Sequence, residues 1–88
     1  MRIQTFEWDA QNVEHIVRHG VEPHEAEATC LGRAVIVRGR GGRHLAYGRT
    51  SDGRYLFIVL YARGAGVARI ITARDMTDRE QRFYQRRH

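Results

Sequence analysis

The chain has no lysine. All fifteen of its strongly basic residues are arginine. Any anion held by these side chains is therefore met by planar guanidinium groups, whose paired donors match phosphate or carboxylate. Only one cysteine, Cys30, occurs in 88 residues. That excludes an intrachain disulfide and suits a reducing cytosol. Cys30 falls among small and apolar residues of a predicted helix, which makes it a packing residue rather than a reactive thiol. No apolar run reaches spanning length, and MRIQTFEW lacks the apolar segment of a signal peptide. The expectation is a cytoplasmic chain with no membrane contact.

Several site signatures are also missing. The glycine-rich stretch Gly39-Arg40-Gly41-Gly42-Arg43 lacks the Lys-Ser/Thr of a nucleotide P-loop. It reads as a basic hairpin connection or an RNA-contacting loop. His15 and His19 share a helix face, but neither HExxH nor a cysteine-rich spacing accompanies them. No Ser-His-Asp order or dinucleotide fingerprint is present. No metal and no cofactor are expected.

Charge is divided along the chain. Residues 1–30 carry Glu7, Asp9, Glu14, Glu22, Glu25 and Glu27 against Arg2 and Arg18. Residues 31–88 carry thirteen arginines against Asp52, Asp75, Asp78 and Glu80. The second part is the electropositive one, and such a surface fits a polyanion, most simply nucleic acid, or an acidic protein.

The length suits one domain, residues 1–88, with a modest core. Three β-branched and aromatic runs at about 43–50, 54–63 and 67–74 predict an antiparallel meander. Asp52-Gly53 and Gly64-Ala65-Gly66 supply its turns. Leu56 to Ala62 reads as a central strand covered on both faces. Alternation puts Leu56, Ile58, Leu60 and Ala62 on the core face, and Tyr55, Phe57, Val59, Tyr61 and Arg63 on the other. Arg2–Trp8 and Ala34–Arg38 are further strands.

Helix signals are local and strong. Asp9 is an N-cap for a helix at about 10–19, and Val13, Ile16 and Val17 make its apolar stripe. Gly20 ends it in a left-handed cap, with Val21 closing back on Ile16. Pro23 opens a second helix, Ala26 and Cys30 lie on its inner side, and Gly32 stops it. Thr77-Asp78-Arg79-Glu80 is a capping box for a last helix at about 78–87. The resulting class is α+β, with two N-terminal helices on one face of the sheet.

Arg63 and Arg74 sit at strand ends near loops, where ligands are met. Tyr84 lies one turn beyond Glu80, so both can approach these arginines if the last helix crosses the sheet edge. Glu80 then has three candidate roles: cap, ion-pair partner and functional acid. Arg40, Arg43, Arg49 and Arg69 complete a basic surface suited to an RNA backbone.

The segments FEWDAQNVEHIVRHGVEPHEAE and GRTSDGRYLFIVLYARGAGVARIITARDMTDREQRFYQRR resemble BrnT-type toxins over nearly the whole chain. The matching features are the W-D, N and basic-H-G-V positions, then G-R-x-x-x-G-R-x-L and R-I-I-x-A-R-x-M-T-x-x-E-x-x-x-Y. The Gly39–Gly42 loop is shorter than in many relatives. The resemblance implies a RelE/ParE-like fold with helices on an antiparallel sheet. It also implies the toxin of a type II toxin–antitoxin pair, a ribonuclease that halts translation. The implied partner is a ribbon-helix-helix, BrnA-like antitoxin, with DNA contacted only through that antitoxin. The motif carries over His19, Arg63, Arg74, Glu80 and Tyr84.

The expected reaction is metal-independent endonucleolytic cleavage of RNA. Arg63 and Arg74 clamp phosphate, and His19, Glu80 or Tyr84 transfers the proton. Two alternatives stand beside it. One is a basic module that docks an antitoxin or RNA without cleavage. The other is a ParE-like action on gyrase.

Overall fold

Strand β4, Tyr55–Gly64, runs through the middle of the sheet. A computed structural model describes residues 1–87 of the chain. In order, the elements are β1 (Thr5–Glu7), α1 (Ala10–Arg18), α2 (Pro23–Leu31), β2 (Val35–Arg38), β3 (Arg43–Arg49), β4, β5 (Val67–Asp75) and α3 (Asp78–Arg87). The sheet order is β1-β5-β4-β3-β2. Strands β2 to β5 form the expected antiparallel meander. β1 instead runs parallel to β5, with Glu7 beside Arg69, so the five-stranded sheet is mixed rather than wholly antiparallel. The chain leaves β1 through two helices before the meander begins. Local patterning does not encode which edge β1 then joins.

The aliphatic face of β4 makes the core. Leu56, Ile58 and Leu60 are fully buried with Ala46, Ala68, Ile70 and Ala73 of the flanking strands. Ile16, Val21, Ala26 and Cys30 of the helical layer close over them. Burial pushes the Cys30 thiol up to about 12, with the Glu27 charge adding to it, so this group stays a neutral packing residue. α2 approaches β3 closely at Gly48, where an added Cβ would lie 2.7 Å from Thr29 Cγ2.

On the other face Tyr55, Phe57, Val59 and Tyr61 are only half-buried. α3 crosses that side at one end and leaves the rest open, so β4 is not covered on both faces along its length. Helix ends follow their sequence signals. The Asp9 side chain accepts from the Gln11 and Asn12 amides. Gly20, at φ 74°, lets the Val21 amide donate to the Ile16 carbonyl at 3.1 Å. Buried Asn12 also donates to the Glu7 and Ile70 carbonyls, pinning α1 across β1 and β5.

A bulge in β5 reshapes the outer face. Val59 pairs with Thr72 but Leu60 pairs with Ile70, which leaves Ile71 as an extra residue. Strict alternation would send Arg69 and Arg74, five apart, to opposite sides. With the bulge, Arg69 lies beside Tyr61 and Arg74 beside Phe57, on one face.

Arg54 ties the layers together. It donates to Asp75 at 2.6 Å and to the Gly20 and His19 carbonyls at 2.7 and 3.4 Å, and stands 3.6 Å from Glu25. A cation at the C-terminus of α1 also complements that helix dipole. Arg54→Ala should lower unfolding free energy by about 1–2 kcal/mol, solvent screening holding it at the low end. Urea denaturation at low and high salt measures this, and an unchanged midpoint would remove Arg54 from the framework. No helix among the described residues is long and apolar enough to cross a membrane.

Candidate active site

The end of β5 and the start of α3 form one hydrogen-bonded unit. The Thr77 amide donates to Glu80 Oε1 at 2.9 Å, and the Glu80 amide donates to Thr77 Oγ1 at 3.2 Å. This is the capping box read from the sequence. Glu80 also accepts both guanidinium arms of Arg74, at 2.8 and 2.9 Å. Cap and ion pair are therefore made by the same carboxylate. Arg74 further donates to the Asp75 carbonyl and lies over the Phe57 ring, 4.4 Å from its centroid.

Beside this pair is a groove of about 440 Å³ lined by Tyr47, Arg79, Glu80, Phe83 and Arg86. Arg79, Phe83 and Arg86 follow one another at helical spacing, so α3 turns one face to it. Phe57, Tyr47 and Phe83 stack in sequence, with centroids 5.2 and 4.6 Å apart. Burial raises the Tyr47 phenol, and the Glu80 charge adds to the rise against the opposing Arg74. Tyr47 is thus a proton donor throughout the neutral range. The groove combines guanidinium groups, ring faces, one carboxylate and one phenol.

Burial by itself raises Glu80, but the Arg74 hydrogen bond, the Thr77 amide and the Arg74 charge outweigh it. The carboxyl is held below its ordinary range. Its contribution to stability is therefore present above the ordinary glutamate value and is lost as pH falls through the folded one. Between about pH 5 and pH 3, wild type should lose more stability than Glu80→Gln, which keeps a capping acceptor without the charge. Parallel acid limbs in urea melts across that window would contradict the coupling.

The residues singled out by sequence do not all meet here. Arg74 and Glu80 do. Arg63 lies at the far end of β4, six residues beyond the Phe57 that neighbours Arg74, roughly 20 Å along the strand. An antiparallel hairpin sets the end of one strand against the start of the next, so two residues at strand C-terminal ends cannot adjoin. Arg63 instead approaches Glu7 Oε1 at 3.2 Å, without hydrogen-bond alignment. Tyr84 is only 3 % exposed and sets its ring edge-on to Tyr55, so it seats α3 on the sheet rather than facing the groove. His19 caps α1 on the helical side, its ring 5.5 Å from His15. Among the described residues, no group of three His, Cys, Asp or Glu side chains is placed to hold a metal ion.

The four arginines expected to meet RNA also divide. Arg69 makes a forked ion pair with Asp9, at 2.9 and 3.3 Å, and that pair lowers the Asp9 carboxyl. Arg49 donates to the Gly53 carbonyl and stacks on Tyr55. Arg43 lies over Tyr61, and exposed Arg40 stands in the 3-10 turn Arg40–Gly42. Gly41 and Gly42, at φ 64° and 78°, turn the chain from β2 into β3 there.

Sequence reading missed Tyr47, Phe83, Arg79 and Arg86. The signals existed. Arg43, Leu45, Tyr47 and Arg49 alternate onto the same mixed face as Tyr55 and Phe57. The capping box also fixes which residues of α3 share a side.

Comparison with known proteins agrees with this architecture. The crystal structure of the Brucella abortus ribonuclease toxin BrnT superposes with a TM-score of 0.69 at 17 % identity, over 84 % of this chain and 97 % of that one. No curated protein sequence matches. A family model described as the ribonuclease toxin BrnT of type II toxin–antitoxin systems matches residues 8–80. The chain thus belongs to the BrnT family, ribonuclease toxins whose type II systems pair them with an antitoxin.

Proposed function

We propose that this toxin is a metal-independent endoribonuclease whose chemistry runs in the α3 groove. The observation that carries the reading is the forked Arg74–Glu80 pair opening onto a groove rimmed by Arg79 and Arg86. In such a cleavage the RNA 2′-oxygen bonds to phosphorus and the bond from phosphorus to the 5′-oxygen breaks. The products are a cyclic 2′,3′-phosphate and a 5′-hydroxyl. Guanidinium groups supply the charge stabilisation. Arginine stays protonated and cannot serve as base.

Proton transfer falls to the two groove residues able to perform it. An incoming phosphate competes with Glu80 for the Arg74 fork. Once Arg74 turns to phosphate, its hydrogen bond and charge no longer lower Glu80, whose basicity rises. Glu80 then takes the 2′-hydroxyl proton, and the Tyr47 phenol donates to the departing oxygen. Tyr84 and His19 keep positioning roles, and Arg63 contributes charge at a distance.

Purified protein incubated with RNA in EDTA should yield fragments ending in cyclic phosphate and beginning with 5′-hydroxyl. Cleavage that needs an added divalent ion, or 5′-phosphate ends, would refute this chemistry. A non-catalytic reading has one observation in its favour: Arg74 is already held by Glu80. Salt-sensitive RNA binding with no products would support it. We also propose a ribbon-helix-helix protein as the antitoxin, a reading that rests on the resemblance to BrnT-type toxins. A reading frame of that kind beside the gene would bear on it directly.

A further inference from the structure

A second cavity, of about 410 Å³, lies on the helical side of the sheet at the end remote from α3. Its lining includes Arg2, Arg38 and His44 and contains no acidic residue. Arg38 and His44 are cross-strand partners of β2 and β3, so both side chains point to this side together. Most arginines of the outer face are tied into ion pairs or stacks. Among the described residues the guanidinium groups of Arg2 and Arg38 make no hydrogen bond or ion pair. His44 Nδ1 is buried and also lacks a partner. A half-turn of that ring presents the nitrogen elsewhere without breaking any hydrogen bond. The remaining wall is apolar, from Ile3, Ile36 and Val67. At Gly64, on the rim, an added Cβ would meet nothing within 4 Å.

We infer that this pocket binds a nucleoside phosphate, the phosphate against Arg2 and Arg38 and the base against the branched apolar wall. The volume lies within the range of small-molecule sites. Unpaired guanidinium forks match a phosphate dianion better than any neutral group. An isolated aspartate or glutamate side chain would leave most of the space empty. A continuing RNA strand is disfavoured on this side, because α1 and α2 cover the sheet there and carry Glu14, Glu22, Glu25 and Glu27. The ligand therefore ends in the pocket. It is either a free mononucleotide or the phosphate-bearing terminus of a cut RNA.

Calorimetric titration of the full chain with uridine 5′-monophosphate, uridine, and a short RNA ending in 3′-phosphate tests this. The mononucleotide should bind at least about tenfold more tightly than the nucleoside, and Arg38→Ala should remove about that factor. Arg38→Lys should restore part of it, which separates charge from folding damage. Binding by the RNA end alone identifies the second source and equally supports the site. Arg74→Ala should leave this binding unchanged while altering cleavage, so failure here and failure of the α3 groove are told apart. Equal affinity for nucleoside and nucleotide would overturn the inference. So would a loss that follows Arg74→Ala rather than Arg38→Ala, or displacement of the nucleotide by an acidic peptide at equal concentration.

Discussion

Arg74→Ala should slow RNA cleavage about 10²–10³-fold, the scale seen when one preorganised charge donor is removed from a transition state. The guanidinium is fixed on three sides before substrate arrives. Glu80 holds both arms, the Asp75 carbonyl accepts from one, and Phe57 lies beneath the plane. A group held in this way needs little reorganisation when charge develops on phosphorus. Arg74→Lys keeps the charge but loses the fork, so it should recover only part of the rate. Arg63→Ala should stay near wild type, because that residue sits beside Glu7 at the opposite end of the sheet. Induced expression should give the same order in cells: growth arrest with wild type and Arg63→Ala, and growth with Arg74→Ala. Removing Arg74 also leaves the Glu80 carboxylate, 18 % exposed, without its partner. A thermal melt of Arg74→Ala reads that folding penalty separately from the chemistry. If the folded fraction of Arg74→Ala cleaved RNA at the wild-type rate, the loss would be one of folding and Arg74 would not contact phosphate. Full activity in Arg74→Ala would place the chemistry outside the groove.

The contrast between Arg74 and Arg63 shows what kind of information the sequence carries. Caps, turns and the phase of β4 from Tyr55 to Tyr61 are local, and each reads correctly from residues within a turn or two. The Thr77-to-Glu80 box and the Gly20 stop both have the expected hydrogen bonds. Ile58 is buried and Phe57 half-buried, as alternation requires. The site needs a different quantity, the meeting of segments far apart in the chain. Arg63 and Arg74 look alike as strand-end arginines, yet the hairpin between them sends them to opposite ends. That consequence was legible, since an antiparallel turn at Gly64–Gly66 already implies it. The Ile71 bulge was not legible: Arg69-Ile70-Ile71-Thr72 has no glycine or proline to mark it, and it decides that Arg69 and Arg74 share a face. Nor was the parallel entry of β1, which depends on how two helices pack rather than on β1 itself. Tyr47 belongs to a third category. Its phase was readable, but its meeting with Phe83 requires knowing that α3 folds back over the outer face.

Ile58→Ala should destabilise the fold by about 2–5 kcal/mol, a large share of the stability of a domain this size. Ile58 is fully buried at the centre of the middle strand, and both its cross-strand neighbours are alanines, Ala46 and Ala73. The branched side chain alone fills the width between them and the helices above. Alanine there would put three methyl-sized side chains in a row, and none of the three can extend to close the cavity. Val59→Ala, one residue along but on the half-buried face, should cost less, about 1 kcal/mol. Thermal melts should separate the pair clearly, since about 1 kcal/mol moves the midpoint of such a domain by roughly 4–8 °C. Equal midpoints for the two variants would mean that the core does not sit on this side of β4. The comparison also bears on toxicity assays. Ile58→Ala should relieve growth arrest by reducing the folded population, and its purified folded fraction should still cleave RNA. Arg74→Ala should relieve growth arrest while most of the chain stays folded, its folded fraction showing slow chemistry. Two variants equally harmless in cells would then differ in the test tube. That difference assigns Ile58 to the core and Arg74 to the phosphate.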